Sequence, residues 1–155
     1  PITVEHPSIV KTSKPEFKAF ELNSADTAQL KSLPGIGSVF ANRIVKYREW
    51  LGGFYSLDQL NEVYGIKTET VRELINKLYI DTLLIKKIPI NTASVSTLKN
   101  HPYIDFYQAK SIYEYRKRKG EIENYIEIIK IKGIDTSNFY KAKHYLLFSG
   151  SETRE

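Results

Sequence analysis

Apolar residues recur along this chain in short blocks at helical spacing rather than in long runs or strict alternation. In the first half, Ala28, Leu30, Leu33, Ile44, Tyr47, Leu60, Val63, Val71, Leu74 and Leu78 supply one inward stripe after another, broken by Pro, Gly and Ser/Thr punctuation. This pattern predicts four short helices over 25–33, 38–51, 57–63 and 68–78. Asn23 or Ser24 is placed to cap the first, Ser56 with Gln59 forms a capping-box pattern for the third, and Thr68 is placed to cap the fourth. Gly52-Gly53 ends the second.

The same arrangement then recurs. Shifting the sequence by 68 residues lays Asn23 on Asn91, Leu30 on Leu98, Pro34 on Pro102, Ile36 on Ile104, Ile44 on Ile112, Tyr47-Arg48 on Tyr115-Arg116 and Gly65-Ile66 on Gly133-Ile134, without a gap. Two homologous small domains follow: a first over 17–80 and a second over 90–148, with an extended linker at 81–89 between them. A flexible lead-in is expected over 1–16 and a tail over 149–155. The segments Phe17, Phe20, Leu22 and Ile85, Ile88, Ile90 also correspond, and the Ile/Leu-rich stretch up to Ile90 reads as extended. Short strands at 17–22 and 80–90 are therefore expected to brace the domains together.

The run Leu33-Pro34-Gly35-Ile36-Gly37 joins the first two helices. Two glycines around one apolar residue make a hairpin whose backbone another molecule can approach closely, with Ile36 pinning the turn. The amides of Gly37 and its successors then stand at a helix N-terminus, where a phosphate oxygen is favoured. A Pro-Gly helix connection with no ligand is the plain alternative. Beside these amides lie Ser38, Asn42, Arg43 and Lys46, with Lys31 one turn earlier; Arg43 is the expected nearest cation. Val63-Tyr64-Gly65-Ile66 reads as a second, weaker hairpin.

The string Leu22-Asn23-Ser24-Ala25-Asp26, Leu30, Leu33-Pro34-Gly35-Ile36-Gly37, Ala41, Ile44 and Tyr47-Arg48, followed by Gly53-Phe54, Ser56, Leu60, Val63 and Gly65-Ile66, resembles the helix-hairpin-helix family, and specifically its competence protein ComEA type. The match is close over residues 22 to about 78 and covers about half the chain. The resemblance implies a mainly α fold of two tandem paired hairpins, about four short helices in each domain. It also implies sequence-nonspecific DNA binding, in a competence-like setting of DNA uptake outside the cytoplasmic membrane. Double-stranded DNA is expected ahead of single-stranded DNA, and no cofactor is expected.

The second copy departs where this function would reside. Its hairpin reads His101-Pro102-Tyr103-Ile104-Asp105: Tyr103 replaces the first glycine, and Asp105 stands where Gly37 stood. A carboxylate there caps the following helix itself and repels a phosphate. This copy is therefore expected to be degenerate. It offers Arg116-Lys117-Arg118-Lys119 instead, either a supplementary phosphate patch or a basic run complementing its own helix dipole. Tyr103, Phe106 and Tyr107, if exposed, would suit a protein partner or base stacking.

Composition narrows the picture little further. The chain has 155 residues, a net charge of +5 and no cysteine, which permits a polyanionic partner and excludes disulfides and thiolate metal sites. No apolar run reaches the roughly 18 residues of a membrane span. A chain starting Pro1-Ile2 with no methionine looks like a trimmed fragment, so an envelope or membrane-anchored setting is compatible with it. His6, His101 and His144 make no metal-ligand spacing. The catalytic Asp of helix-hairpin-helix DNA glycosylases would have to be Asp58, which sits in a capping position after Ser56, so no enzyme is expected. Two readings stand: a DNA-binding module, and a structural or protein-interaction module of the cell envelope, secretion-system-like, that has lost DNA binding.

Overall fold

The computed structural model describes residues 16–150, so nearly all of the lead-in and most of the tail lie outside the described residues. The first unit runs β1 (Phe20–Glu21), α1 (Thr27–Lys31), α2 (Ser38–Leu51), a 3₁₀ segment (Leu57–Glu62), α3 (Thr68–Leu74) and β2 (Leu78–Tyr79). The second runs β3 (Ile88–Pro89), α4 (Val95–Lys99), α5 (Phe106–Lys119), α6 (Tyr125–Ile128), α7 (Thr136–Phe139), a 3₁₀ segment (Tyr140–Tyr145) and β4 (Leu146–Leu147). The molecule is mainly helical, and its two halves repeat the same order of a strand, a short helix, a long helix, further short helical segments and a closing strand.

Local chemistry explains where these elements begin and end, and it corrects several expectations. Asp26, not Asn23 or Ser24, caps α1, in a capping box with Gln29. Asn23 is used at long range: its Nδ2 donates to the Phe54 carbonyl (2.9 Å) and its Oδ1 accepts from the Phe54 amide (2.6 Å). Asn91 holds Ile122 in the same way in the second unit (3.0 and 2.8 Å). The Ser56–Gln59 capping box forms as expected, but the segment it starts is 3₁₀ rather than α. Thr68 is the first residue of α3, and Lys67 occupies the cap position. This helix stops at Leu74, short of the expected Leu78, because the chain must straighten to place Leu78 in β2.

The strands are parallel pairs of two residues, Phe20 against Leu78 and Glu21 against Tyr79, then Ile88 against Leu146 and Pro89 against Leu147. Each pair ties the start of one unit to its own end. The strands therefore close the units singly and do not brace them together as expected. The intervening stretch is not wholly extended either, since Thr82–Leu84 forms a 3₁₀ turn and the Lys86 amide donates to the Gly52 carbonyl (2.8 Å). Gly52 has φ +88°, and a Cβ there would lie 2.7 Å from the Lys86 carbonyl oxygen, so only glycine serves.

Each unit buries its own apolar cluster, around Leu30, Ile44, Phe54 and Leu60 in the first and Leu98, Ile112, Ile122 and Ile128 in the second. Burying one such side chain fully contributes roughly 1.5–3 kcal/mol. Ala28, expected inside, is exposed, and Ala25 takes the inward position. Arg48 clamps the Leu22 and Ala25 carbonyls (2.8 and 2.7 Å), as Arg116 clamps those of Ile90 and Ala93 (2.7 and 3.0 Å).

What joins the units is a polar and aromatic seam. Tyr145, from the second unit, is fully buried within the first unit's core; its hydroxyl donates to the Gly53 carbonyl (2.7 Å) and accepts from Gln59 Nε2 (2.8 Å). Gln59 Nε2 also donates to the Tyr103 hydroxyl (2.8 Å), which in turn donates to Glu62 Oε2 (2.6 Å). Tyr47 donates to the same oxygen (2.6 Å), and Lys141 donates to Glu62 Oε1 (2.7 Å). Burial alone would raise the Glu62 carboxyl, but the bonds from Lys141, Tyr103 and Tyr47 hold it below the usual range. His101 is buried, its Nε2–H donating to the Leu51 carbonyl (2.9 Å) while Nδ1 accepts from the Tyr103 amide (3.2 Å), the pattern of a neutral ring. Among the described residues, no buried side-chain polar atom is left without a partner.

Candidate nucleic-acid interface

The first hairpin is built by Leu33 and Ile36, both buried, whose backbone closes the turn through the Ile36 amide and the Leu33 carbonyl (3.2 Å). Pro34, Gly35, Gly37 and Ser38 face solvent. The two glycines have different reasons to be there. Gly35 has φ +76°, and its Cβ would lie 3.0 Å from Thr70 Cγ2, so the turn itself requires glycine. Gly37 has φ −89° and ψ −176°, extended backbone that any residue adopts, and a Cβ there would meet nothing within 4 Å. Its contribution is openness. As the N-cap of α2 it supplies no side-chain acceptor, so the first-turn amides of a 14-residue helix are left facing outward.

The second hairpin of this unit, Val63 to Ile66, packs back to back with the first. Gly65 (φ +87°) would place a Cβ 3.1 Å from Phe40 and 2.8 Å from Arg43 Nη1. The packing is reciprocal: Gly35 meets Thr70, five residues past Gly65, and Gly65 meets Phe40, five residues past Gly35. Lys67, the cap of α3, also makes no side-chain capping bond.

In the second unit both corresponding positions are aspartates that cap their own helices. Asp105 accepts from the Gln108 amide (2.8 Å) in a complete capping box. Asp135 accepts from the amide and the hydroxyl of Ser137 (3.0 and 2.7 Å), bonds that hold its carboxyl below the usual range. Asp105 was legible in the sequence and Asp135 was missed, although the same superposition sets it opposite Lys67.

The flanking side chains divide into two groups. Lys31, Asn42 and Lys46 are exposed, with Lys46 farther along α2 beside Trp50 and Tyr64. Arg43 is half-buried: its Nη1 donates to the Tyr64 carbonyl (2.9 Å), and its guanidinium lies 5.8 Å from the Phe40 ring centre and 5.0 Å from that of Tyr64. Through this bond it braces the second hairpin. In the basic run, Arg116 is spent on the Ile90 and Ala93 carbonyls and lies over Tyr113 (5.4 Å), whereas Lys117, Arg118 and Lys119 are exposed. Tyr103 is not an exposed docking residue either, because the seam holds its hydroxyl. Phe106 and Tyr107 are exposed and touch edge to face (5.5 Å). No described helix is long and apolar enough to cross a membrane, and no cluster of metal-ligating side chains occurs among the described residues.

Comparison with known proteins matches the helix-hairpin-helix motif family over residues 16–79 and again over 85–147. The chain is 30% identical over 144 residues to an endonuclease/exonuclease/phosphatase family domain-containing protein 1 of Xenopus laevis, covering 79% of this chain and 26% of that protein. It is 26% identical over 152 residues to the protein of the same name from Mus musculus, covering 79% of this chain and 27% of that one. It therefore spans about a quarter of the length of these relatives. An uncharacterized protein of Haemophilus influenzae is 43% identical over 53 residues, covering 34% of this chain and 47% of that protein. No solved structure matches.

Proposed function

Because the chain belongs to the helix-hairpin-helix family through both of its halves, we propose that it is a sequence-nonspecific DNA-binding module whose first unit alone grips the phosphate backbone. One observation carries the reading: the open cap at Gly37 in the first unit, against the self-capping Asp105 in the second. Phosphate oxygens would take the amides from Gly37 into the first turn of α2, with Ser38 and Asn42 alongside and Lys31 and Lys46 supplying charge. Such contacts carry no base information. A single open unit neutralises few phosphates, so affinity in the range of about 10⁻⁴–10⁻⁶ M, falling steeply with salt, is expected.

The second unit serves as a buttress. Its hairpin, retired from phosphate binding, is committed to the seam through His101 and Tyr103. That use weakens the alternative of a protein-interaction module, which drew on an exposed Tyr103. The module binds and has no chemistry of its own under this reading. A ComEA-type role would set it in DNA uptake; the name shared by its longer relatives would set it beside an endonuclease/exonuclease/phosphatase family domain. In either setting its part is to hold a nucleic-acid backbone. Fluorescence anisotropy of a short random-sequence duplex, titrated at low and moderate salt, tests it. Salt-sensitive binding that is indifferent to sequence supports the reading, and no binding at low salt refutes it.

A further inference from the structure

A groove of about 470 Å³ lies beside the second hairpin of the first unit, between it and the C-terminal half of α2. Its floor is Tyr47 and Val63, its rim Arg43, Lys46, Trp50 and Tyr64, and its one carboxylate is Glu62. Trp50 and Tyr64 are 58% and 82% exposed, and each ring rests against a neighbouring group. Trp50 donates its Nε1–H to the Asn100 carbonyl of the second unit and stands edge-on to Tyr47 (6.0 Å, 81°). Tyr64 is backed by the Arg43 guanidinium at 5.0 Å. Rings already resting against a neighbour lose less freedom when a flat partner stacks on them.

Charge indicates what that partner is. Glu62 is already paired with Lys141 and accepts from two tyrosines, while Lys46 is exposed and Arg43 lies beside it. The groove thus combines aromatic faces with a net positive rim, the combination that holds single-stranded nucleic acid. The second unit does not repeat it: Ser111, Glu114, Arg118 and Lys132 stand at the positions of Arg43, Lys46, Trp50 and Tyr64. The aromatic groove therefore occurs only in the unit with the open hairpin, on the same helix that presents the open amides. At 1.5 Å per residue, Trp50 lies about 20 Å along α2 from Gly37, a span of a few nucleotides.

We propose that this groove takes an unpaired nucleobase, stacked on Trp50 or Tyr64, from a single-stranded segment adjoining the DNA held at Gly37. The proposal rests on the DNA-binding reading above. Its consequence is a preference for junctions of duplex with single strand over blunt duplex. Stacking of one base corresponds to roughly 5- to 140-fold in affinity.

The test compares, on the full chain, a blunt two-stranded duplex without a loop and the same duplex carrying a short oligo-dT tail, read by anisotropy and by tryptophan emission. Trp50 is the single tryptophan, so its quenching reports the groove directly. The proposal requires tighter binding of the tailed DNA and quenching by that DNA only. Tyr64→Ala and Trp50→Ala should each weaken the preference and together abolish it, with blunt-duplex affinity unchanged, whereas Trp50→Phe should retain most of it. Because Tyr64 is on the surface, Tyr64→Ala keeps the test valid should the tryptophan variant misfold. Equal binding of the two DNAs with unchanged emission overturns the groove and leaves the DNA-binding reading standing; binding of neither overturns both. Quenching by an acidic aromatic peptide but not by oligo-dT would assign the groove to a protein partner and also overturn the proposal.

Discussion

Replacing Gly37 by Asp copies the second unit's capped hairpin into the first, and it should move stability and affinity in opposite directions. The backbone there is extended and a Cβ meets nothing within 4 Å, so the substitution introduces no strain. A carboxylate at the N-cap satisfies a first-turn amide and faces the positive end of the α2 dipole, stabilising by about 0.3–1 kcal/mol. At roughly 2–4 °C per kcal/mol, the melting temperature rises by about 1–4 °C. For bound DNA the same carboxylate is a like charge about 4 Å from a phosphate, costing about 1 kcal/mol in bulk water and up to about 4 kcal/mol near a protein surface. It also displaces a hydrogen bond to a charged group, which contributes about 1.5–3 kcal/mol. The lower ends together make about 2.5 kcal/mol, or roughly a seventyfold loss of affinity. Calorimetry and duplex anisotropy between about 50 and 200 mM salt read the two effects. Gly37→Asn, which caps without charge, should give the stability gain with a smaller loss of binding. A stabilised Asp variant that binds DNA like the wild type would refute the assignment of phosphate to these amides.

Three further outcomes follow from the same geometry. Gly35→Ala forces an L residue to φ +76° with its Cβ 3.0 Å from Thr70 Cγ2, so it should destabilise by about 1–2 kcal/mol in urea denaturation. Thr70→Ser relieves only the contact and should rescue only part of that loss. Burial lowers the His101 pKa to about 4, against the opposing effect of its bond to Leu51, so the unfolded chain binds the proton first. This ring's contribution is then whole above about pH 6.5 and is lost as pH falls from there toward 4, by up to about 3 kcal/mol. His101→Asn should flatten that part of the stability-against-pH curve. Tyr145→Phe leaves the Gly53 carbonyl without its buried donor and should cost about 1–3 kcal/mol, seen as a lower denaturation midpoint.

Features set by local sequence were legible in advance, and those set by contacts between distant segments were not. The 68-residue repeat predicted the duplicated unit, and its match is structural down to the paired Asn23–Phe54 and Asn91–Ile122 clamps. The Ser56–Gln59 capping box and the Gly52 helix end rest on residues within a turn of each other and were read correctly. Asn23 passed for a cap because its long-range partner, Phe54, is 31 residues away. The bond from Arg43 to the Tyr64 carbonyl was not legible, because spacing along α2 does not show a partner 21 residues away. The seam was invisible for the same reason, since Gln59 and Tyr145 are 86 residues apart. One clue was present: the second hairpin's departures from the first, His101 and Tyr103, are the residues that dock on the first unit. The loss of glycine there pointed to a hairpin capped by its own side chain but not to the contact with the first unit.

The central claim is that one hairpin is open to phosphate and its duplicate is closed by its own aspartate. Backbone amide chemical shifts, followed by NMR during titration with a short random-sequence duplex, test it most directly. The claim predicts saturable shifts at Gly37, Ser38 and Val39, with Phe106 and Tyr107 unmoved. Equal shifts at the two hairpins, or shifts confined to the second, would contradict it.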